Sequence, residues 1–362
     1  MTSVTTISGS GTGLPAKPAG GVETVSGRPG QDVLAWGRAA VSAGLREAVA
    51  QLPVSMGRVA GYHFGWRDLE GQPATGETGK AVRPALALLC AQAVGGAPRA
   101  AVPAAVAVEL VHNFSLLQDD VMDRDVLRRH RPAAWTVFGA ADAILGGDAL
   151  LALAFQCLAE GGLTSGGEGM RRLSRCVAEL CHGQSLDLSF ERRGHVEMGE
   201  CWSMAAGKTA ALFGCACALG ALAGGATAGQ AQLLDDFGNH IGLAFQLVDD
   251  LLGIWGEPSS TGKPAHSDLI SRKKSLPVTA ALSSPAPAAR EIAALYRRPQ
   301  PFGTDELPRI AGLIEQAGGR EWARRTAAAE FTSAVESLTA ATRPADAAAL
   351  RELAETLLSR DH

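Results

Sequence analysis

The stretch Pro103-Ala-Ala-Val-Ala-Val-Glu-Leu-Val-His-Asn-Phe-Ser-Leu-Leu-Gln-Asp-Asp-Val-Met-Asp123 decides how this chain folds. A proline opens it, apolar residues fill it without strand-like alternation, and acids close it, so it reads as a buried helix. At about 100° per residue, Asp119 and Asp123 fall about 40° apart on one face and their carboxylates can converge. With Asp120 they oppose the negative end of the helix dipole. Water at a surface tolerates that; a buried cluster needs cations. The pattern returns in Gly242-Leu-Ala-Phe-Gln-Leu-Val-Asp-Asp-Leu-Leu-Gly253, where Asp249 and Asp250 close a second apolar helix.

Oxygen-only clusters with no neighbouring His or Cys suit Mg²⁺, which keeps water and bridges carboxylates to substrate phosphates. A diphosphate substrate is therefore expected. Basic residues stand beside both clusters: Lys80 and Arg83 at one expected helix start, Arg128 and Arg129 after the first cluster, Lys208 and Thr209 at another helix start, and Lys263, Lys273 and Lys274 after the second cluster. Helix N-termini combined with Lys or Arg bind phosphates.

Working outward, Ala and Leu dominate from Val33 onward, so the expected class is all-α. Gly and Pro divide the chain into helices near 33–51, 81–94, 103–124, 133–139, 141–160, 167–190, 197–206, 208–224, 228–254, 273–283, 287–297, 304–317, 319–340 and 344–359. No repeat suggests a solenoid. A single-domain bundle around a deep central cavity, spanning 31–362, is the natural packing. Residues 1–30 hold seven Gly, three Pro, four Ser and five Thr. They are expected to form a disordered tail, either featureless or a docking segment for a scaffold or protein shell.

The chain of 362 residues carries 33 Lys and Arg against 37 Asp and Glu, a net charge of −4, so no positive field holds nucleic acid. Seven cysteines without a CxxC pair argue against a disulfide scaffold or a zinc ribbon. The apolar run Ala210 to Ala223 falls short of the ~20 residues of a membrane span, and the first residues lack a basic stretch followed by an apolar one, so a cytoplasmic protein is expected.

In order, the motifs Gly-Lys-x-x-Arg, Asp-Asp-x-x-Asp followed by Arg-Arg, Lys-Thr, Phe-Gln-x-x-Asp-Asp and Gly-Lys-Pro-x-x-Ser-Asp resemble those of trans-isoprenyl diphosphate synthases, the polyprenyl synthetases, over roughly residues 75–345. The resemblance implies an all-α homodimer whose two aspartate motifs face each other across three Mg²⁺ ions. It implies that Asp119, Asp120, Asp123, Asp249 and Asp250 hold metal, with Asp119, Asp120, Lys208 and Asp249 central to catalysis. Lys80, Arg83, His112 and Arg129 resemble the isopentenyl diphosphate site, and Arg128, Lys208, Thr209, Gln246, Lys263 and Lys273 the allylic diphosphate site. Read alone, His112 is equally a core histidine and Gln246 equally a buried structural amide. Phe114, followed by Ser115, resembles the family's tunnel floor, or else simply packs a helix interface.

The implied product is geranylgeranyl diphosphate, with farnesyl diphosphate next. Three positions depart from the family pattern: Gly253 where many members carry Asp, and His130 and Arg272 where Gly is usual. Asp249 through Glu257 also loosely fits the metal motif of class I terpene cyclases. Lys80, Arg83 and Arg129 discriminate against that rival, since a cyclase needs no isopentenyl site. An intact first cluster argues against a catalytically silent regulatory subunit.

Overall fold

Helix α4 (Val102–Met122) and helix α10 (Ala228–Trp255) are the two acid-ended helices, found where the sequence places them. The computed structural model describes residues 30–76, 79–162, 167–257 and 264–359, so Lys263 and all of the expected tail except Gly30 lie outside the described residues. Pro103 sits in the first turn of α4, where its missing N–H costs nothing. Thr227 caps α10, accepting from the Gln230 backbone N–H at 3.2 Å while the Gln230 side chain accepts from the Thr227 N–H at 3.2 Å.

Preceding α4 are α1 (Gly30–Ala50), α2 (Val54–His63) and α3 (Val82–Ala93). Between α4 and α10 lie a two-residue hairpin, β1 (Leu127–Arg128) with β2 (Arg131–Pro132), then α5 (Ala134–Phe138), α6 (Ala140–Glu160), α7 (Glu168–Arg192), α8 (Met198–Ala205) and α9 (Ala211–Ala223). After α10 come α11 (Ser267–Ile270), α12 (Leu276–Leu282), α13 (Pro287–Arg297), α14 (Leu307–Gln316), α15 (Gly319–Ala341) and α16 (Pro344–Leu358). Sequence reading missed α2, the hairpin and α11, all short. It also missed the union of α8 and α9 by a π-helical turn, Ala206–Ala210, so Lys208 and Thr209 lie inside a continuous helical run rather than at a helix start.

Helix α9 is the axis. Every residue from Ala211 to Leu222 is buried, and small side chains let neighbours approach to backbone contact. A Cβ on Gly242 of α10 would lie 2.5 Å from the Ala210 Cα, and one on Gly238 would lie 2.6 Å from the Phe213 carbonyl oxygen. Around that seam Phe213, Phe237, Leu212 and Leu219 are fully buried, each contributing about 1.5–3 kcal/mol.

Three helical runs reach membrane-spanning length and apolarity, against the expectation of none: Pro98–Met122, Ala140–Glu160 and Met198–Ala223. The first and third are apolar on all sides because they form the bundle interior, with 67% and 83% of the apolar window buried. Only 39% of the α6 window is buried, which leaves Ile144 and Leu145 facing outward.

Candidate active site

Helices α4 and α10 end at the mouth of one cavity of about 680 Å³. Phe114, Ser115 and Asp119 come from α4, Leu180, Gln184 and Leu188 from α7, Lys208 and Thr209 from the π turn, and Phe245, Gln246 and Asp249 from α10. Lys80, Arg83, His112 and Arg128 line it too. The expected central cavity is thus present, lined by charged, polar and apolar side chains together.

Within each acidic pair the two aspartates part company, because consecutive helical residues point about 100° apart. Asp119 and Asp249 face the cavity. Asp120 turns into the protein, where the β1 hairpin returns Arg128 to it: Arg128 Nε donates to Asp120 Oδ1 at 2.8 Å, and a second guanidinium N–H pairs with the same oxygen. Burial raises the Asp120 pKa, against the pull of Arg128. Asp250 is likewise engaged, accepting from Gln246 Nε2 at 2.7 Å and from the Leu276 backbone N–H at 2.9 Å. Burial lifts it to about 7, the Lys273 ammonium opposing. Five expected metal-facing carboxylates therefore reduce to Asp119 and Asp249 on the wall, with Asp123 at the C-cap of α4. Partial enclosure and the neighbouring Asp119 raise Asp123 to about 6.

Lys208 reaches the cavity because the π turn bulges toward α7, a distortion common at functional sites. The contact is glycine on glycine: a Cβ on Gly207 would sit 2.5 Å from the Glu179 carbonyl oxygen, and one on Gly183 would collide with the Lys208 backbone nitrogen. Lys208 Nζ then lies 2.6 Å from Asp187 Oδ2 and 3.4 Å from Asp119 Oδ1. Burial opposes its charge, but Asp187 and Asp119 outweigh that and hold its pKa up. Asp187 is a site residue that sequence reading missed. A carboxylate between Leu186 and Leu188, one turn after Gly183-Gln184, was the available signal. Gln184 contributes a buried side-chain nitrogen on the cavity wall with no hydrogen-bond partner, a donor available to a ligand.

Thr209 Oγ1 donates to Gln246 Oε1 at 2.6 Å, and Gln246 donates onward to Asp250, so the Gln246 amide is fixed in orientation at both ends. Lys273 faces Asp250, Asp268, Asp187 and Asp249, and these raise its pKa in spite of burial. Lys274, flagged by its position in the sequence, turns away and donates to the Phe190 carbonyl at 2.8 Å.

At the other end, Arg83 stacks on Phe213 at 4.8 Å, and burial lowers it to about 10. Burial also drives the His112 pKa well below its usual value, with Arg83 and Arg129 adding to the effect, so the imidazole is neutral. Arg129 is set apart from the main cavity: it lines a smaller one of about 360 Å³ that shares Gly79, Ala81 and Glu109 with it. Glu109, missed by sequence reading, is buried; burial raises its pKa and Arg83 and Arg129 pull it down. Asn113 Nδ2 donates to it at 3.3 Å, and Asn113 Oδ1 accepts from Arg129 at 3.4 Å, tying the arginine to α4.

His130 and Arg272 both carry positive φ, +60° and +53°, which explains glycine as the usual residue there. Arg272 offsets the cost by donating to the Tyr296 carbonyl at 2.5 Å and the Gln300 carbonyl at 3.1 Å.

The donor set fits Mg²⁺ held jointly with a substrate. Among the described residues no three His, Cys, Asp or Glu side chains form a metal cage by themselves. Asp119 and Asp249 present oxygen ligands from two different helices to one cavity, and the crowding of Asp123 by Asp119 and Asp187 marks excess negative charge at the mouth.

The polyprenyl synthetase family model matches residues 72–311. The (2E,6E)-farnesyl diphosphate synthase of Mycobacterium tuberculosis (strain ATCC 25618 / H37Rv) is 44% identical over 352 residues, 96% of this chain and 97% of the relative. The geranylgeranyl diphosphate synthase of the same strain is 44% identical over 327 residues, 90% and 93% of the two chains. The crystal structure of a polyprenyl synthetase from Streptomyces coelicolor A3(2) superposes with a TM-score of 0.87 at 47% identity, covering 90% of this chain and 99% of that one. The chain belongs to the polyprenyl synthetase family of prenyltransferases.

Proposed function

We propose that this trans-prenyltransferase condenses isopentenyl diphosphate with an allylic diphosphate and releases geranylgeranyl diphosphate. One observation carries the reading: Asp119 and Asp249, from two helices, open onto a single cavity lined by Lys80, Arg83, Arg128 and Lys208 together with apolar Leu180, Leu188 and Phe245. Asp119, Asp123 and Asp249 would hold Mg²⁺, three ions by family resemblance, and bound Mg²⁺ supplies positive charge to the departing diphosphate. Lys208, with Arg128 and Thr209, orients that diphosphate as its bond to the allylic carbon breaks. Phe245, Leu180 and Leu188 exclude water from the allylic cation, which the isopentenyl double bond attacks. The proton lost in the last step leaves with the released diphosphate. Lys80 and Arg83 line the same cavity and hold a second diphosphate, which a cyclase does not need.

Relatives named for farnesyl and for geranylgeranyl products are equally identical to this chain, so overall likeness does not set product length. Phe114 is the candidate floor that limits the product: it lines the cavity and its ring backs onto Gly147 of α6, where a Cβ would lie 3.6 Å from Phe114 Cδ2. Product analysis after incubation with isopentenyl diphosphate, Mg²⁺ and each allylic primer tests the assignment, with a C20 diphosphate expected as the main product and a C15 product refuting it. We further propose a homodimer through α6, whose outward Ile144 and Leu145 a second copy would cover. Sedimentation should give a dimer mass that Leu145→Asp shifts toward monomer.

A further inference from the structure

Arg129, set apart from the main cavity, is delivered by a turn that residues with a Cβ enter only at a cost: at the tip of the β1–β2 hairpin, Arg129 and His130 have φ of +52° and +60°. The end of α2 holds that hairpin in place. Arg131 Nη1 donates to the Tyr62 carbonyl at 3.1 Å and its guanidinium stacks on the Tyr62 ring at 4.3 Å, while Tyr62 Oη donates to the Pro132 carbonyl at 2.9 Å. The next residue, His63, is buried, and its Nε2 lies 3.2 Å from Asn113 Oδ1, the oxygen that also accepts from Arg129 Nη2. Asn113 Nδ2 faces the other way and donates to the Glu109 carbonyl at 2.8 Å, so the amide oxygen is what meets His63. An amide oxygen only accepts, and His63 Nε2 therefore carries the hydrogen. Burial, with the charges of Arg129 and Arg128 added, lowers the His63 pKa to about 3, so the ring is neutral. Arg129 Nη2 also lies against Gly79, where a Cβ would be 3.0 Å away, which sets the guanidinium beside the backbone leading into Lys80.

We propose that His63 is a positioning residue for the isopentenyl diphosphate: its N–H fixes the Asn113 amide, and the amide oxygen fixes Arg129 beside Lys80. His63 and Asn113 lie fifty residues apart and outside every motif that carries the family resemblance. The inference rests on the prenyl-transfer reading and deepens it, because it names what holds an arginine of the second diphosphate site in place. Leucine at 63 keeps the bulk of the ring but leaves the buried amide oxygen without one of its two donors. Glutamine places an N–H close to where Nε2 stands.

The test is a double-mutant cycle with a conservative rescue. His63→Leu, His63→Gln, Asn113→Ala and His63→Leu/Asn113→Ala are compared with the unaltered protein by steady-state kinetics, by calorimetric binding of isopentenyl diphosphate in excess chelator, and by thermal unfolding. His63→Leu should raise KM for isopentenyl diphosphate and weaken its binding about tenfold, with kcat and KM for the allylic diphosphate changed less than twofold. His63→Gln should return to within about threefold of the unaltered protein. Asn113→Ala should weaken isopentenyl diphosphate binding at least as much as His63→Leu, and the double variant should be no worse than Asn113→Ala; Asn113→Ala and His63→Gln keep the comparison open should His63→Leu not fold. Equal increases in KM for both substrates, or a double variant whose loss is the product of the two single losses, would overturn the proposal. An unaltered protein that binds isopentenyl diphosphate yet elongates no primer would instead refute the prenyl-transfer reading, while the binding cycle still decides the role of His63.

Discussion

The ends of α4 and α10 carry the same two consecutive aspartates and use them alike, but they complete the cluster differently. In each, the first aspartate faces the cavity and the second anchors a returning segment: Asp120 holds the β1 hairpin through Arg128, and Asp250 holds the start of α12 through the Leu276 N–H. The anchors differ in charge. Asp120 is hydrogen-bonded directly to a guanidinium, whereas Asp250 is hydrogen-bonded by two neutral donors and lifted by burial to about 7 against the nearby Lys273 ammonium. At the next turn α4 supplies Asp123 from the helix itself, while α10 has Gly253, against which Asp268 packs from the loop. One helical repeat thus divides binding from anchoring.

The largest expected effects fall on the cavity-facing pair. Asp119→Ala and Asp249→Ala should each lower kcat/KM at least a hundredfold, about 3 kcal/mol of lost electrostatic stabilisation. Steady-state kinetics at saturating Mg²⁺ checks this, and a variant with undiminished turnover would break the assumed equivalence of the two helices. Next in size is the contrast between anchors. Asp120→Ala strands Arg128 and should cost about 3 kcal/mol of stability, whereas Asp250→Asn, replacing a carboxyl already near neutrality, should cost about 1 kcal/mol. Denaturant unfolding compares them, and equal costs would mean that a directly hydrogen-bonded guanidinium matters no more than neutral donors beside a nearby ammonium.

Much of this arrangement is legible in the sequence because it is local. Apolar runs opened by Pro103 and closed by Asp119 or Asp249 declare buried helices, and a spacing of four residues declares a shared face. What escaped was contact between distant segments. Nothing near Asp120 shows that Arg128 turns back to meet it, and nothing near Asp250 points to Leu276. Lys208 looked like a helix start because Gly207 precedes it, but that glycine serves backbone contact with Gly183 of α7, which also brings Asp187 into the site. Gly253 read only as a departure from the family pattern for the same reason, since the Asp268 carboxylate packed against it lies fifteen residues on.

Two smaller effects sharpen the comparison on the α4 side. Phe114→Ala removes a ring from the cavity wall one turn before Asp119 and should lengthen the main product by one isoprene unit, read by chromatography of dephosphorylated products; an unchanged length would place the floor on another helix. His130→Gly relieves a positive φ in the hairpin that delivers Arg128 and should stabilise the fold by about 1 kcal/mol or less, seen as a slightly higher Tm with kinetics unchanged.

The central claim is that Asp119 and Asp249 serve one cavity in which prenyl chains are elongated. The most direct test is to incubate the purified protein with labelled isopentenyl diphosphate and farnesyl diphosphate, with Mg²⁺ and with excess chelator. A labelled C20 diphosphate should form only with the metal and be nearly lost in Asp119→Ala and in Asp249→Ala alike. Label remaining in isopentenyl diphosphate while a hydrocarbon is released from the allylic substrate alone would contradict it.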